Sequence, residues 1–228
     1  MAYRFALFDA DNTLLDFTRA EDTALRACLA ARGLPTDANT VTRYSAINDG
    51  HWKRLERGET TREHLKVERF ADFFGTLGYE GDPVAMAHDY ESTLGRQTYL
   101  LEGATELIRS LHGRCRLFIV TNGITAVQKS RFGACSLAPY FERCFISEEM
   151  GCAKPEKQFF DKVAAAIEDF DPADALVIGD SLSSDIQGGI NAGLHTCWYN
   201  PANKPAPTGM PITYVVRELS EIRAILLE

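Results

Sequence analysis

The rhythm of apolar and polar positions changes twice along the chain. Residues 4–9 hold the unbroken apolar run Phe5-Ala6-Leu7-Phe8, which reads as a buried strand ending at Asp9. From about Asp16 to Arg96 the spacing turns helical, and residues 19–32, 40–57, 61–77 and 83–97 predict four amphipathic helices. Gly33-Leu34-Pro35, Gly58, Gly78 and Gly81-Asp82-Pro83 break them, with no strand pattern between. After Gly103, strands at Arg116–Val120, Cys144–Ser147, Ala175–Ile178, His195–Tyr199 and Ile212–Val216 alternate with helices near 104–112, 125–136, 156–168 and 183–192, and a helix ends the chain. Strand–helix alternation predicts an α/β fold: a Rossmann-like three-layer core around a parallel central sheet. The helical stretch predicts an inserted all-helical cap. Expected boundaries are residues 1–15 and 98–228 for the catalytic core and 16–97 for the cap, with a Pro-rich surface loop at 200–211.

Composition narrows the function. The 228 residues suffice for one large domain carrying an insertion. No run reaches the roughly 18 apolar residues of a membrane span, and no secretory leader pattern precedes the first strand, so a cytoplasmic protein without a membrane partner is expected. The cysteines (Cys28, Cys115, Cys135, Cys144, Cys152 and Cys197) show no zinc or C-x-x-C spacing and read as reduced, mostly buried side chains. The five histidines are scattered and suggest no nucleophile triad. A net charge of −8 with no basic patch argues against a nucleic-acid polymer as partner. An acidic protein can still bind one small phosphate through local cations and aimed backbone amides.

The polar residues that punctuate the strands carry the candidate chemistry. Asp9 and Asp11 end the first strand two residues apart, a costly pair unless a cation compensates, and a hard metal such as Mg²⁺ is the usual one. The plainer reading is that they open a polar loop. Ligands of open α/β sheets bind beyond the carboxyl ends of the strands, where strand order reverses. Those ends here carry Asp9, Asp11 and Thr13, then Thr121, Asn122 and Gly123, then Gly179, Asp180, Ser181, Ser184 and Asp185, with Lys154 opening an intervening helix. Singly, each is a turn residue, a helix cap or a solvated charge. Together they predict one polar rim.

That set resembles the haloacid dehalogenase superfamily. Its motifs match in order: Asp9-Ala10-Asp11-Asn12-Thr13, then Thr121, then Lys154 in Gly151-Cys152-Ala153-Lys154-Pro155, then Gly179-Asp180-Ser181-Leu182-Ser183-Ser184-Asp185. The resemblance implies that Asp9 is a nucleophile forming an aspartyl-phosphate, and that Asp11 protonates the leaving group and then activates water. It implies that Asp9, Asp180 and the Asp11 carbonyl hold Mg²⁺, and that Asp185 orients a metal-bound water or Lys154. Thr121, Lys154 and the backbone N–H groups of Asp11 and Asn122 would bind phosphate, with Thr13, Gly123 and Ser181 supporting. Dehalogenases of the superfamily lack an acid at the position of Asp11, so its presence favours phosphate-ester chemistry; a phosphomutase would use the same residues.

Segments such as Ile119-Val120-Thr121-Asn122-Gly123, Ile146-Ser147-Glu148-Glu149-Met150-Gly151 and Gly188-Gly189-Ile190-Asn191-Ala192-Gly193 are most similar to the bacterial pyrimidine 5′-nucleotidases. A Mg²⁺-dependent 5′-nucleotidase acting on a small phosphomonoester is therefore expected. A sugar-phosphate or phosphoglycolate phosphatase is the alternative, and a non-catalytic phospholigand-binding regulator a third. In the cap, Phe17, Asn48 and Trp52 are candidate specificity residues, although Trp52 could equally pack between helices. The sequence leaves a monomer or a dimer open.

Overall fold

The computed structural model describes residues 3–228. Six parallel strands form one sheet: β1 (Phe5–Phe8), β2 (Arg116–Thr121), β3 (Arg143–Ile146), β4 (Ala175–Gly179), β5 (His195–Tyr199) and β6 (Tyr214–Val216), in the order β3-β2-β1-β4-β5-β6. The chain steps outward from β1 to β3, then returns to the other side of β1 for β4. The reversal puts a crevice at the carboxyl end of β1, beside Asp9.

The pleat divides β1 between two cores. Ala6 and Phe8 join Ile119, Ile178 and residues of α5 (Ala104–Leu111) and α10 (Leu219–Leu227) on one face. Phe5 and Leu7 join Val120, Val177 and Phe159 and Phe160 of α8 (Lys157–Ala165) on the other. Burial on both faces is why these strands read as continuous apolar runs.

The inserted helices are α1 (Phe17–Ala30), α2 (Ala38–Glu56), α3 (Arg62–Leu77) and α4 (Pro83–Leu94). They own a separate apolar cluster built on Leu25, Tyr44, Phe70, Phe73, Met86 and Tyr90. Tyr44 stacks on Phe70 with ring centroids 5.2 Å apart and planes at 20°. Ile124 and Val127, at the start of α6 (Thr125–Ala134), join that cluster, so the insertion is seated on the core through an apolar contact. The two chain crossings lie side by side: Leu15 and Leu100 form an antiparallel bridge, and the Asp16 amide donates to the Tyr99 carbonyl at 2.9 Å.

Several boundaries differ from the expected ones for local reasons. The first cap helix starts at Phe17 because Asp16 caps it, accepting from the Arg19 amide at 2.9 Å. The fourth ends at Leu94, where Arg96 and Gln97 close tight i→i+3 turns onto Thr93 and Leu94. The expected helix over 183–192 is a wide π-type turn, Leu182–Ile186, followed by short α9 (Gln187–Asn191). The last strand shortens to Tyr214–Val216, the stretch that pairs with Cys197–Tyr199. The six cysteines are unpaired, five of them buried. Among the described residues, no helix is long and apolar enough to cross a membrane.

Candidate active site

The loop after β1 leaves the sheet through backbone bonds. The Asp9 amide still donates to Ile178 at 2.8 Å, and the amides of Leu14 and Leu15 then turn back onto the Ala10 carbonyl at 3.0 and 2.8 Å. Asn12 adopts φ 58°, which Asn tolerates better than most residues, and its Oδ1 accepts from Thr18. Thr13 is fully buried with no hydrogen-bond partner for its hydroxyl, so backbone bonds close this turn.

Lys154 reaches into this loop. Its buried Nζ donates to Asp9 Oδ1 (2.7 Å), the Val120 carbonyl (2.7 Å) and Asp185 Oδ1 (2.6 Å), using all three ammonium protons. Asp185 is aimed there by the π-type turn, in which its own amide and that of Ile186 both donate to the Ser181 carbonyl. The other Asp185 oxygen accepts from the Ser181 amide at 3.1 Å, and Ser181 Oγ caps the turn by accepting from Ser184. Asn122 exchanges two bonds with the Lys154 backbone, at 2.8 and 3.0 Å. Its side chain therefore joins two loops, leaving its backbone amide as the phosphate-facing candidate. The Gly123 amide donates to Thr121 Oγ1 at 3.1 Å, and Gln128 packs so close that a Cβ at Gly123 would lie 2.5 Å from Nε2.

Carboxylate oxygens of Asp9, Asp180 and Asp185 approach within 4.8 Å of one another. Burial pushes the Asp9 carboxyl well above its ordinary range; Lys154 opposes this, while Asp185, Asp180 and Asp11 add to it. Burial, then Asp185, raises Asp180 to about 7. Lys154 is shifted upward: burial acts against its charge, but Asp185 and Asp9 outweigh it. Three acids facing one lysine leave a negative excess that a divalent cation would neutralise. Asp185 is already committed to Lys154 and Ser181, whereas among the described residues no other residue donates to the Asp180 carboxylate and Asp9 Oδ2 accepts no hydrogen bond. An all-oxygen donor set of this kind fits Mg²⁺.

A cavity of ≈ 200 Å³ opens over these groups. Phe17 and Trp52 line it from the insertion, but Asn48 does not. Asn48 is buried in the cap, donating to Glu21 Oε1 at 2.7 Å and accepting from Arg69 at 3.0 Å. The cavity walls also include Glu56, Arg69, Gln128 and Arg131, none of which the motif reading selected. Burial raises the Glu56 carboxyl, although Ser183 Oγ donates to it at 2.9 Å. A signal for two of them was present: Gln128 and Arg131 stand where α6 should carry apolar residues, and both are buried.

A family model described as haloacid dehalogenase-like hydrolase matches residues 3–193. The chain belongs to the haloacid dehalogenase-like hydrolases, and within them it is a phosphatase. It is 40% identical to pyrimidine 5′-nucleotidase PynA of Streptococcus pneumoniae, over 97% of this chain and 94% of that one. It is 33% identical to pyrimidine 5′-nucleotidase YjjG of Escherichia coli, over 99% of both. The magnesium-bound crystal structure of the HAD-hydrolase YfnB of Bacillus subtilis is 39% identical, covers 99% of each chain and superposes with a TM-score of 0.94. An L-2-haloacid dehalogenase from Xanthobacter autotrophicus, 19% identical with a TM-score of 0.76, shares the fold.

Proposed function

We propose that the protein is a Mg²⁺-dependent 5′-nucleotidase that hydrolyses nucleoside monophosphates, pyrimidines by preference, through an aspartyl-phosphate on Asp9. The observation that carries this reading is the convergence of Asp9, Asp11, Thr121, Lys154 and Asp180 on one cavity walled by Phe17 and Trp52. Two full-length relatives named as pyrimidine 5′-nucleotidases support the substrate class.

In this reading residues 16–97 act as a cap that closes on the leaving group. The phosphoryl group sits among Thr121 Oγ1 and the amides of Asp11 and Asn122, which orient it, while the Lys154 ammonium, its protons held by Asp9, Val120 and Asp185, contributes positive charge beside it. Asp9 attacks phosphorus in line. The bond to the nucleoside oxygen breaks, and Asp11 donates a proton to that oxygen. Asp11 then takes a proton from the water that hydrolyses the aspartyl-phosphate. Asp9, Asp180 and the Asp11 carbonyl would hold Mg²⁺, which supplies positive charge against the phosphoryl oxygens. Trp52 and Phe17 offer flat faces to a base or sugar.

Phosphate release across UMP, dUMP, dTMP, purine nucleotides, hexose phosphates and phosphoglycolate, with Mg²⁺ and with EDTA, tests this. The pyrimidine nucleotides are expected to turn over fastest and only with Mg²⁺. Faster hydrolysis of phosphoglycolate or a hexose phosphate would overturn the substrate. Asp9→Asn is expected to fold and to release no phosphate; activity in that variant would overturn the nucleophile.

A further inference from the structure

Arg131 is fully buried on α6, one turn beyond Gln128, and its guanidinium joins three parts of the molecule. Nη1 donates to Asp11 Oδ1 and, at 3.3 Å, to Gln128 Oε1. Nε donates to the carbonyl of Gln97 at 3.0 Å, where the chain leaves the cap. The guanidinium also lies 5.7 Å from the ring centroid of Phe17, the first residue of the cap helices. Gln128 completes the hold: its Nε2 donates to Asp11 Oδ2 and to Thr121 Oγ1, both at 2.8 Å. Both oxygens of Asp11 are therefore gripped from a core helix, and the grip is anchored on both chain crossings.

The plainer account is that Asp11 merely compensates a buried arginine. Buried ion pairs contribute little net stability compared with an apolar pair of similar volume. This one also leaves Nη2 of Arg131 buried without a partner among the described residues, a further cost. What the arrangement does provide is a fixed orientation for a carboxyl at the cavity wall. Each Asp11 oxygen has a second lone pair, so the grip leaves room for a proton shared with a leaving oxygen.

We propose that Arg131 is a positioning residue for Asp11: it holds the acid/base carboxyl in the geometry of proton transfer and ties that geometry to the two crossings between core and cap. The proposal rests on Asp11 as the acid described above. In the first half-reaction the ester P–O bond breaks as the Asp9–phosphorus bond forms, and the Asp11 proton goes to the departing oxygen. A p-nitrophenolate leaves without that proton, so its ester is insensitive to how Asp11 is held.

The test compares kcat/KM, which reports this first half, for UMP and for p-nitrophenyl phosphate in wild type, Arg131→Lys, Arg131→Gln and Asp11→Ala. A positioned acid is worth roughly 100- to 10,000-fold, and a mispositioned one loses part of that. Both arginine variants are expected to lose roughly tenfold to a hundredfold more on UMP than on p-nitrophenyl phosphate. Arg131→Lys keeps the buried charge and carries the test alone if Arg131→Gln does not fold, as judged by circular dichroism. A variant that folds and loses equally on both substrates, or loses nothing on UMP, overturns the proposal. Asp11→Ala sets the reference: equal losses there remove the acid role and the proposal with it. If wild type prefers phosphoglycolate, the nucleotidase reading fails separately, and that alkyl phosphate replaces UMP in the same comparison.

Discussion

Lys154 and Asp185 are buried against each other, with Nζ 2.6 Å from Oδ1 and each side chain 1% exposed. A charge so enclosed depends on its partners, because water cannot replace them. Asp185→Asn keeps the shape but removes half of the anionic compensation, leaving Lys154 to lean wholly on Asp9. The expected cost is about 3 kcal/mol in urea unfolding, at the low end for a broken buried pair because Asp9 remains. Turnover is expected to fall as well, since Asp9, the proposed nucleophile, then becomes the lysine's sole anionic partner. An unchanged unfolding free energy would show that the pair is dispensable.

The strands and the polar rim were legible because each follows from a local rule. Strands buried on both faces must be apolar throughout, and the chain must then end in polar groups where the sheet meets the crevice. Asp9, Thr121 and Asp180 obey that rule singly, and their order along the chain matched a motif set. Asn48 and Arg131 obey no such rule. Asn48 lies on the same helix as Trp52, yet it turns into the cap to pair with Glu21 and Arg69. Arg131 is 120 residues from the carboxylate it grips, so only the folded helix brings the two together. The π-type turn that aims Asp185 is equally illegible, because its Ser and Leu residues also suit an ordinary helix start.

The carboxylates of Asp9 and Asp180 predict a metal-linked stability. Ligand that binds only the folded state stabilises it by mass action, about 2.7 kcal/mol at a hundred times the dissociation constant. Thermal unfolding of wild type is therefore expected to shift upward with added Mg²⁺ and back with EDTA. Asp180→Asn is expected to lose most of that shift while folding in its absence, since it removes a carboxyl that burial, and then Asp185, raises to about 7. A full shift retained in Asp180→Asn would place the metal elsewhere.

Glu148 predicts an acid-dependent term across the seam between insertion and core. Burial acts to raise its carboxyl, but hydrogen bonds from Thr125 and Lys66 outweigh it and hold the group at about 2. The Lys66 Nζ on α3 lies 3.1 Å from Glu148 Oε1, and the Thr125 amide opening α6 lies 2.7 Å from Oε2. A carboxyl depressed on folding stabilises above its unfolded value of 4.5 and loses that contribution as pH falls toward 2. The side chain is a quarter exposed, so screening limits the effect to about 1 kcal/mol. Glu148→Gln is expected to be less stable than wild type at pH 7, with the gap closing between pH 5 and about 2. A gap that stays constant over that range would assign the loss to packing.

Gly179 ends β4 directly beneath Asp185. A Cβ there would stand 2.2 Å from Asp185 Oδ2 and 2.5 Å from its Cβ. Asp185 cannot step aside, because one oxygen is held by Lys154 and the other by the Ser181 amide. One added methyl group must therefore break the Lys154–Asp185 pair or push the strand end away from it. Gly179→Ala is expected to cost about 1–3 kcal/mol of stability, the usual range for overpacking a filled interior. Activity is expected to fall further than stability alone explains, because Asp180 is the next residue and moves with the strand end. Combining Gly179→Ala with Asp185→Asn decides whether the clash is the cause. Sub-additive losses in the double variant are expected, since both changes break the same contact, whereas full additivity would separate them.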